Sequence, residues 1–147
     1  MAFNWYSYSQ PIGVAGMKAD STVDVIDSFA AEGAIKAGAV VERGTDPAKQ
    51  VKASVTAAKV IGIAIFENKV DETPLYPDEY AVPVCTFGDV WVEVSEAVTA
   101  GGAVYLSTAG EWGSSKGSAV AGMTYLTSAG VGELAIVRIR KYLRRYI

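Results

Sequence analysis

Glycine residues divide this chain into short apolar runs, and that division restricts the folds it can adopt. The 15 glycines lie between the runs rather than in one tract. This distribution is typical of many short β-strands joined by tight turns. No helical stretch is long enough to form the crossover that a parallel α/β sheet requires. The sequence therefore predicts an all-β fold, either a small β-barrel or a jelly-roll-like sandwich.

Alternation of apolar and polar residues locates the strands of this fold. In segments 90–94 and 137–143, alternate residues change character, as they do on a sheet with one solvated face. A turn at Gly88 and Asp89 separates two of the strands. Segment 21–31 is ambiguous between a strand and one or two helical turns. The predicted strands are 39–43, 59–66, 80–87, 90–94, 103–107 and 133–143.

One segment of the chain has an internal counterpart. Residues 32–41 recur as residues 96–106 with one residue inserted, and each copy has a β-branched residue, a glycine turn and then a strand. Two equivalent corners of a barrel would produce this pattern, because glycine permits a sharp bend. The alternative is that any two junctions between a glycine turn and a strand look alike.

The length of 147 residues suits a single domain, which we expect to span residues 20–147. Residues 1–19 lack strand or helical periodicity and are rich in aromatic and turn-forming residues, which predicts an extended N-terminal arm. This arm has neither the basic start nor the apolar core of a secretory signal. No apolar run approaches the ~20 residues that span a bilayer, so we expect no membrane partner.

Residue types that carry chemistry are scarce in the sequence. Histidine is absent, which removes the commonest general base and metal ligand, and Cys85 is the only cysteine. We expect Cys85 to be a buried, inert thiol. The carboxylates from Glu67 to Glu93 lack the spacing of a calcium loop, which favours a solvated acidic loop over a weak cation site. The sequence predicts no enzyme activity, catalytic residue, metal or cofactor.

Charge is distributed unevenly along the chain. The net charge is −3, yet the last ten residues contain five basic residues and no acidic one. The other 8 of the 13 basic residues share residues 1–137 with all 16 acidic residues. An acidic body with a basic end is typical of an interaction tail.

Two segments are candidate partner-binding surfaces. Aromatic residues in the arm are suited to anchoring an interface, although they could instead pack against their own domain. The basic tail could bind an acidic protein surface or could be a solvated strand edge. Nucleic acid is disfavoured, because the acidic body would repel phosphates. The candidate residues are Phe3, Trp5, Tyr6 and Tyr8 in the arm, and Arg138, Arg140, Lys141, Tyr142, Arg144, Arg145 and Tyr146 in the tail.

Several tracts of the sequence, in this order and spacing, resemble the structural cement (decoration) proteins of tailed bacteriophage capsids. They cover most of residues 12–139, whereas the aromatic arm and the basic tail lie outside the shared pattern. The tracts are Gly-Met-Lys-Ala-Asp at 16–20, the glycine-punctuated run 32–44, Gly-Ile-Ala-Ile at 62–65, Val-Trp-Val-Glu-Val at 90–94 and the segment 100–105.

The resemblance implies a non-enzymatic β-domain that binds the major capsid protein on the outer capsid surface of the virion. It also implies a homodimer or homotrimer, made in the cytoplasm of the bacterial host. Two rival functions are another virion component, such as a head fibre base or tail part, and a small-ligand-binding β-barrel. The ligand-binding alternative requires a cavity lined by residues such as Val92, Tyr105 and Ile136.

Overall fold

The computed structural model describes residues 15–19, 24–66 and 75–140, and its regular structure consists of β-strands and one 3₁₀ turn. This confirms the predicted all-β class. The strands are β1 (Val25–Ala31), β2 (Ile35–Lys36), β3 (Val40–Arg43), β4 (Gln50–Ala53), β5 (Gly62–Ala64), β6 (Leu75–Tyr76), β7 (Ala81–Glu93), β8 (Ala103–Leu106), β9 (Trp112–Gly113), β10 (Ser118–Tyr125) and β11 (Leu134–Arg140), and the 3₁₀ turn is Ala57–Lys59.

Five of these strands close into a barrel. The order is β1, β4, β3, β5 and β7, and β7 returns to pair with β1. All of these pairs are antiparallel except β1 with β4. Each of these five strands therefore has a neighbouring strand on both sides. The barrel encloses a small core, to which Ile35, Val41, Val51, Tyr76 and Val82 belong.

The second half of β7 leaves the barrel and starts a second layer. There β7 pairs with β11, which is followed by β10, β8 and β9. An isolated bridge joins Val94, just after β7, to Trp112 in β9. A larger core lies between this layer and the outer wall of the barrel. Strand β3 faces both cores, because Val40 belongs to the larger cluster and Val41 to the smaller one.

Strand β7 corrects the predicted turn at Gly88 and Asp89. It runs without interruption from Ala81 to Glu93. Gly88 has a φ of 152°, and a Cβ there would lie 3.0 Å from both the Asp24 Cβ and the Cys85 Sγ. The glycine therefore lets one strand bend from the barrel into the second layer without ending.

Other predictions have mixed outcomes. The ambiguous segment 21–31 contains a strand, β1, from Val25 onward, so the helical alternative is wrong for the residues described there. Along β11, Ala135, Val137 and Ile139 are buried and alternate with more exposed residues, which confirms the predicted one-faced strand as far as Arg140. Strands β2, β4, β6, β9 and β10 were not predicted.

Part of the predicted arm lies against the domain. The Gly16 amide donates to the Trp91 carbonyl over 2.7 Å, and the Trp91 amide donates to the Met17 carbonyl over 2.9 Å. The Ala19 amide also donates to the Asp89 carbonyl, so residues 15–19 follow β7. Residues 1–14 lie outside the described part of the chain, and the division into arm and domain stays a prediction.

The internal repeat corresponds to two similar turns. In the first, the Ala39 amide donates to the Lys36 carbonyl over 3.1 Å, and Gly38 has a φ of 90°. In the second, the Gly102 amide donates to the Thr99 carbonyl over 2.9 Å, and Gly101 has a φ of 87°. Each turn leads into a strand, β3 or β8. The two glycine turns are therefore alike, but β8 belongs to the second layer, so the prediction of two equivalent corners of one barrel is wrong.

Candidate interaction surfaces

The start of the basic tail is tied to β7 by a bidentate ion pair. Arg138 lies opposite Asp89 in the register of β11 with β7. Its Nε and Nη2 donate to the two Asp89 carboxylate oxygens over 3.0 and 3.1 Å. The Asp89 side chain has no exposed surface, whereas that of Arg138 is 41% exposed. Pairing compensates the burial of this carboxylate, so Arg138 has a structural role in addition to its predicted contact role.

Arg140, the last described residue of the tail, lies on the same strand face. Its guanidinium carbon is 4.2 Å from the centroid of the Phe87 ring, at the cross-strand position. Its Nη1 donates to the Ile139 carbonyl over 2.9 Å and lies 4.0 Å from Asp89 Oδ1. The structure thus brings Arg138 and Arg140 together around Asp89. The other nine predicted contact residues, in the arm and in residues 141–146, lie outside the described part of the chain.

The acidic residues that the sequence analysis assigned to one surface loop lie in different parts of the fold. Asp89 and Glu93 belong to β7, where Asp89 is buried in the ion pair described above. Asp78 accepts a hydrogen bond from the Gly33 amide over 2.8 Å. Glu67, Asp71 and Glu72 lie outside the described residues. Among the described residues, no three aspartate, glutamate or cysteine side chains form a group that could hold a metal ion.

Cys85 is fully buried in the larger core, as expected. Its Sγ lies 3.3 Å from the Phe87 carbonyl oxygen. Burial raises the pKa of the thiol to about 11, because the interior disfavours the thiolate. The thiol therefore stays protonated near neutral pH, where a thiolate nucleophile would have to be ionised.

Two glutamates that the sequence analysis did not select as functional residues organise the surface loops. Glu32 accepts hydrogen bonds from the Thr45 amide and hydroxyl, each over 2.7 Å. Glu96 accepts from the amides of Ser114, Ser115 and Lys116 over 2.7 to 3.2 Å, and from the Ser115 hydroxyl over 2.8 Å. These hydrogen bonds lower the pKa of both carboxyls, that of Glu96 to about 2.

The two glutamates occupy the same position in the internal repeat. Each is the first residue of its copy, and each lies against a glycine in a later strand or turn, Gly44 for Glu32 and Gly113 for Glu96. We refer to these two arrangements as the Glu32 anchor and the Glu96 anchor. The repeated glutamate was the signal in the sequence, but its partners are 13 to 20 residues away. Only the fold shows that each carboxylate fixes a loop.

The Gly38 turn and β9 meet at a cleft of about 460 Å³. Its lining includes Ala15, Gly38, Glu93, Trp112 and Val131. The Trp112 Nε1 donates to the Gly38 carbonyl over 2.9 Å, and this buried bond joins the second layer to a turn of the barrel. Ala15, the first residue that the structure describes, forms part of the wall of this cleft.

A second depression, which we call the β10 groove, has a different chemistry. Its volume is about 560 Å³, and none of the described residues that line it is charged. Small side chains dominate: the groove is lined by Val55, Thr56, Ala57, Ala58, Leu106, Thr108, Gly117, Ser118, Ala119 and Ala121.

Neither depression corresponds to the predicted ligand cavity. Val92 is fully buried within the larger core. Tyr105 and Ile136 are half-buried and line neither the cleft nor the groove. Within the described residues, no helix is long and apolar enough to cross a membrane.

The fold is shared with capsid-associated proteins of bacteriophages. A chain from the structure "The capsid of Myoviridae Phage XM1" is 20% identical, with a TM-score of 0.72, over 97% of this chain and all of that one. The head fiber gp8.5 N base of bacteriophage phi29 is 13% identical, with a TM-score of 0.56, over 84% of this chain and all of that one. No curated protein sequence matches.

Comparison of the sequence with protein-family models identifies a single family, whereas the likeness to solved structures shows only a shared fold. The model of the structural cement protein family, described as "Structural cement protein (E217 gp24/Pam3 gp6)", matches residues 3–140. That match covers nearly the whole chain, including both cores. The chain therefore belongs to the structural cement protein family of bacteriophages, as the resemblance implied.

Proposed function

We propose that this protein is a non-enzymatic cement protein that binds the outer surface of a phage head and stabilises the lattice of the major capsid protein. The family match from residue 3 to residue 140 is the observation that carries the proposal. The side-chain chemistry agrees with it, since the sequence has no histidine and the Cys85 thiol is buried.

The architecture suits a load-bearing attachment. A closed barrel and a second layer share β7, and both cores are filled by aliphatic and aromatic side chains. Such a body resists deformation, because close-packed interiors have low compressibility. Many copies on one shell would let contacts that are individually weak add up through multivalency.

We place the contacts with the major capsid protein at the two ends of the chain. Phe3, Trp5, Tyr6 and Tyr8 would supply aromatic anchors. The basic residues Arg140, Lys141, Arg144 and Arg145 would pair with an acidic area of the partner and guide its approach. Arg138 would contribute less, because Asp89 already binds its guanidinium. We also propose a homodimer or homotrimer, with no nucleic acid or membrane partner, made in the host cytoplasm.

The direct test adds the purified protein to heads assembled without it. We expect ordered density on the outside of the shell by electron microscopy, and a higher temperature for genome release from the decorated heads. Heads that bind the protein without any gain in heat resistance, or that do not bind it at all, would contradict the cement function.

Variants test the proposed contacts. Deletion of residues 3–8, or substitution of Arg140, Lys141, Arg144 and Arg145 by Gln, should lower the occupancy of the shell while the domain stays folded. The matched control substitutes four exposed lysines elsewhere by Gln: Lys36, Lys49, Lys59 and Lys116. If both contact variants occupy the shell as fully as the wild type, the interface lies elsewhere on the molecule.

The base of a head fibre is a second candidate function, favoured by the fold likeness to the phi29 head fiber base. The two candidates differ in what accompanies the protein on the particle. A fibre base would copurify from virions with a distal fibre segment, whereas a cement protein would be present without one. Quantitative mass spectrometry of purified particles distinguishes them.

A further inference from the structure

The sheet of the second layer has apolar residues on both of its faces. One face packs on the larger core, through residues such as Val90, Val92, Val137 and Ile139. The residues that alternate with these point to the opposite side, which we call the outer face. The outer face comprises Phe87, Asp89, Trp91 and Glu93 of β7 and Leu134, Ile136, Arg138 and Arg140 of β11. Its four large apolar side chains are half-buried.

The register of β7 with β11 arranges the outer face in four rows that cross the two strands. Two contacts show that the first two rows share one side of the sheet. The guanidinium carbon of Arg140 lies 4.2 Å from the Phe87 ring centroid, and Arg138 binds the Asp89 carboxylate through two hydrogen bonds. Successive rows are about 7 Å apart, so the first and the last are about 20 Å apart. In order, the rows are Phe87 with Arg140, Asp89 with Arg138, Trp91 with Ile136, and Glu93 with Leu134.

The two ends of the outer face carry opposite charges. Arg140 lies in the first row, and its side chain is 36% exposed. Glu93 lies in the last row and is exposed. Between them, Asp89 compensates the charge of Arg138, and the third row is apolar. The charge along the strands is therefore positive, then neutral, then negative, and this pattern is complementary to a copy of itself turned end for end.

We propose that the outer face is the contact between two copies of this protein in a two-fold symmetric homodimer. A two-fold axis that crosses the strands between the second and third rows places Arg140 of one copy near Glu93 of the other, and does so twice. The same axis places the second row over the third, where the guanidinium of Arg138 can stack on the indole of Trp91. Each copy uses the same patch, as a two-fold interface requires.

The composition of the outer face suits a protein contact. Aromatic residues and arginine are the types enriched in the centres of interfaces, and both are present here. Large apolar side chains that keep exposed surface on a sheet are typical of an interaction site. Two sheets pack face to face about 10 Å apart, a separation that the side chains of both faces fill together.

Charge favours a second copy over the capsid protein at this face. An acidic surface of the capsid protein would attract Arg140 but would repel Glu93 at the other end. A basic surface would do the reverse. A second copy in the two-fold arrangement compensates both ends at once, and complementary charges of this kind fix the register of an interface.

This inference rests on the homo-oligomer in the proposed function and deepens it, because it selects the dimer and assigns its surface. Arg140 serves the dimer, and Lys141, Arg144 and Arg145 remain for the proposed contact with the capsid protein. The test uses the protein free in solution. A monomeric wild type would therefore overturn the dimer and leave attachment to heads standing, whereas a dimer that does not bind heads would contradict only the cement function.

Sedimentation of the purified, full-length protein tests the dimer and its charge pairs. We expect the wild type to sediment as a dimer. Arg140→Glu gives a copy with two acidic ends, and Glu93→Arg gives a copy with two basic ends. Each variant brings like charges together twice, so each should dimerise at least about tenfold more weakly than the wild type. A monomeric or trimeric wild type, or single variants that dimerise as strongly as it does, would overturn the proposal.

A mixture of the two variants gives the most specific result. Acidic ends then meet basic ends, so an equimolar mixture should form a heterodimer although neither variant forms a stable homodimer. The double variant, with Arg140→Glu and Glu93→Arg in one chain, should dimerise about as strongly as the wild type. A purely structural role of either residue would not produce this recovery. Folded single variants whose mixture and double variant both stay monomeric would overturn the pairing.

Two charge reversals outside the outer face are the matched controls. Lys59→Glu lies in the 3₁₀ turn that packs on the larger core, and Asp27→Arg lies at an exposed position of β1. Both should dimerise like the wild type. If Arg140→Glu unfolds the domain, the comparison of Glu93→Arg with Asp27→Arg decides alone, because both reverse an exposed acidic charge on a strand. Equal dimerisation by these two variants would overturn the proposal.

The apolar centre of the outer face gives an independent test. Ile136→Gln removes an apolar side chain from the third row and should weaken dimerisation by about tenfold, because residues at the centre of an interface contribute most to affinity. Val55 is 52% exposed at another surface, so Val55→Gln is the control and should not weaken it. Equal effects of the two substitutions would contradict the assignment of this face.

Binding to heads separates a second copy from the capsid protein as the occupant of the outer face. If the capsid protein binds there, Ile136→Gln lowers the occupancy of heads and leaves the sedimentation of the free protein unchanged. That outcome would overturn the dimer contact and would assign the outer face to the capsid.

Discussion

The Glu32 anchor and the Glu96 anchor use the same residue type to fix a loop, but to different extents. In both, the carboxylate lies against a glycine, and a glycine turn follows within six residues. Glu32 binds one residue, Thr45, through two hydrogen bonds. Glu96 binds three consecutive residues through four hydrogen bonds, and the pKa of its carboxyl is accordingly lowered to about 2.

The chain between each glutamate and its loop accounts for this difference. In the first copy β3 leads directly to Gly44, so the loop is already positioned by the barrel ladder. In the second copy the hairpin of β8 and β9 lies between, and residues 114–117 follow a strand of only two residues. A loop held by a short strand needs more side-chain hydrogen bonds, and Glu96 supplies them.

Loss of the hydrogen bond between Trp112 in the second layer and the Gly38 carbonyl of the barrel should reduce stability more than any other change predicted here. Trp112→Ala removes a buried indole from the larger core and the hydrogen bond to the Gly38 carbonyl, and we expect a loss of about 3–5 kcal/mol in the free energy of unfolding. Urea denaturation measures it. Trp112→Phe, which keeps a ring but loses the donor, should cost less. Similar losses for both variants would assign the effect to the hydrogen bond alone.

Substitution of Gly113 or Gly44, which lie against the carboxylates of the two anchors, should have the next largest effect on stability. A Cβ on Gly113 would collide with Glu96 Oε1, and one on Gly44 with Glu32 Oε1. Each Ala variant must displace a hydrogen-bonded carboxylate, so we expect Gly113→Ala to destabilise by about 2 kcal/mol and Gly44→Ala by less. Thermal unfolding of both variants checks the order. The comparison fails if Gly44→Ala is the more damaging.

Each half also has a buried tyrosine that donates to a carbonyl. Tyr76 binds the Ile65 carbonyl over 2.6 Å in the smaller core, and Tyr125 binds the Gly113 carbonyl over 2.8 Å in the larger one. Substitution of either by Phe leaves a buried carbonyl without its partner and should cost about 1 kcal/mol. Equilibrium unfolding of both variants should give equal losses. A clearly larger loss for Tyr125→Phe would mean that Gly113 depends on this bond as well as on Glu96.

Lowering the pH should reduce the stabilisation by the Glu96 anchor more than that by the Glu32 anchor. We expect this effect on the free energy of unfolding to be the smallest of the four predicted here. The folded-state pKa of Glu96 is lowered from 4.5 to about 2, so its contribution to stability is fully present above pH 4.5 and is lost as the pH falls toward 2. Because the carboxylate is exposed, solvent screens this contribution. Glu96→Gln should flatten the decline in stability between pH 4.5 and 2, measured at low salt. A larger flattening by Glu32→Gln would reverse the comparison.

Local periodicity was sufficient to predict much of the fold. Strand β11 has apolar residues at every second position, and a sheet with one buried face requires this pattern. Strand β10 was missed because its sequence, Ser-Ala-Val-Ala-Gly-Met-Thr-Tyr, is rich in small residues and bulges at Gly122. Its pairing depends on neighbours that only the three-dimensional arrangement supplies.

Long-range partners were the part that the sequence could not reveal. A glycine followed by an aspartate between two apolar runs is a common turn signal, yet Gly88 bends a continuous strand, and Asp89 is buried by Arg138, 49 residues away. Asp89 is therefore part of a buried ion pair and not a solvated turn residue, because the register of β7 with β11 places Arg138 opposite it. No local pattern determines that register.

The continuity of β7 has a mechanical consequence. Its 13 residues border the smaller core at one end and the larger core at the other. Hydrogen bonds in an antiparallel ladder run perpendicular to the strand, so a pull along β7 loads the rungs to β1 and β11 simultaneously rather than one after another. Tension applied to one half of the molecule is thereby passed to the other through a single covalent backbone. No hinge interrupts that backbone, since the bend at Gly88 occurs within a strand that is paired on both sides of it.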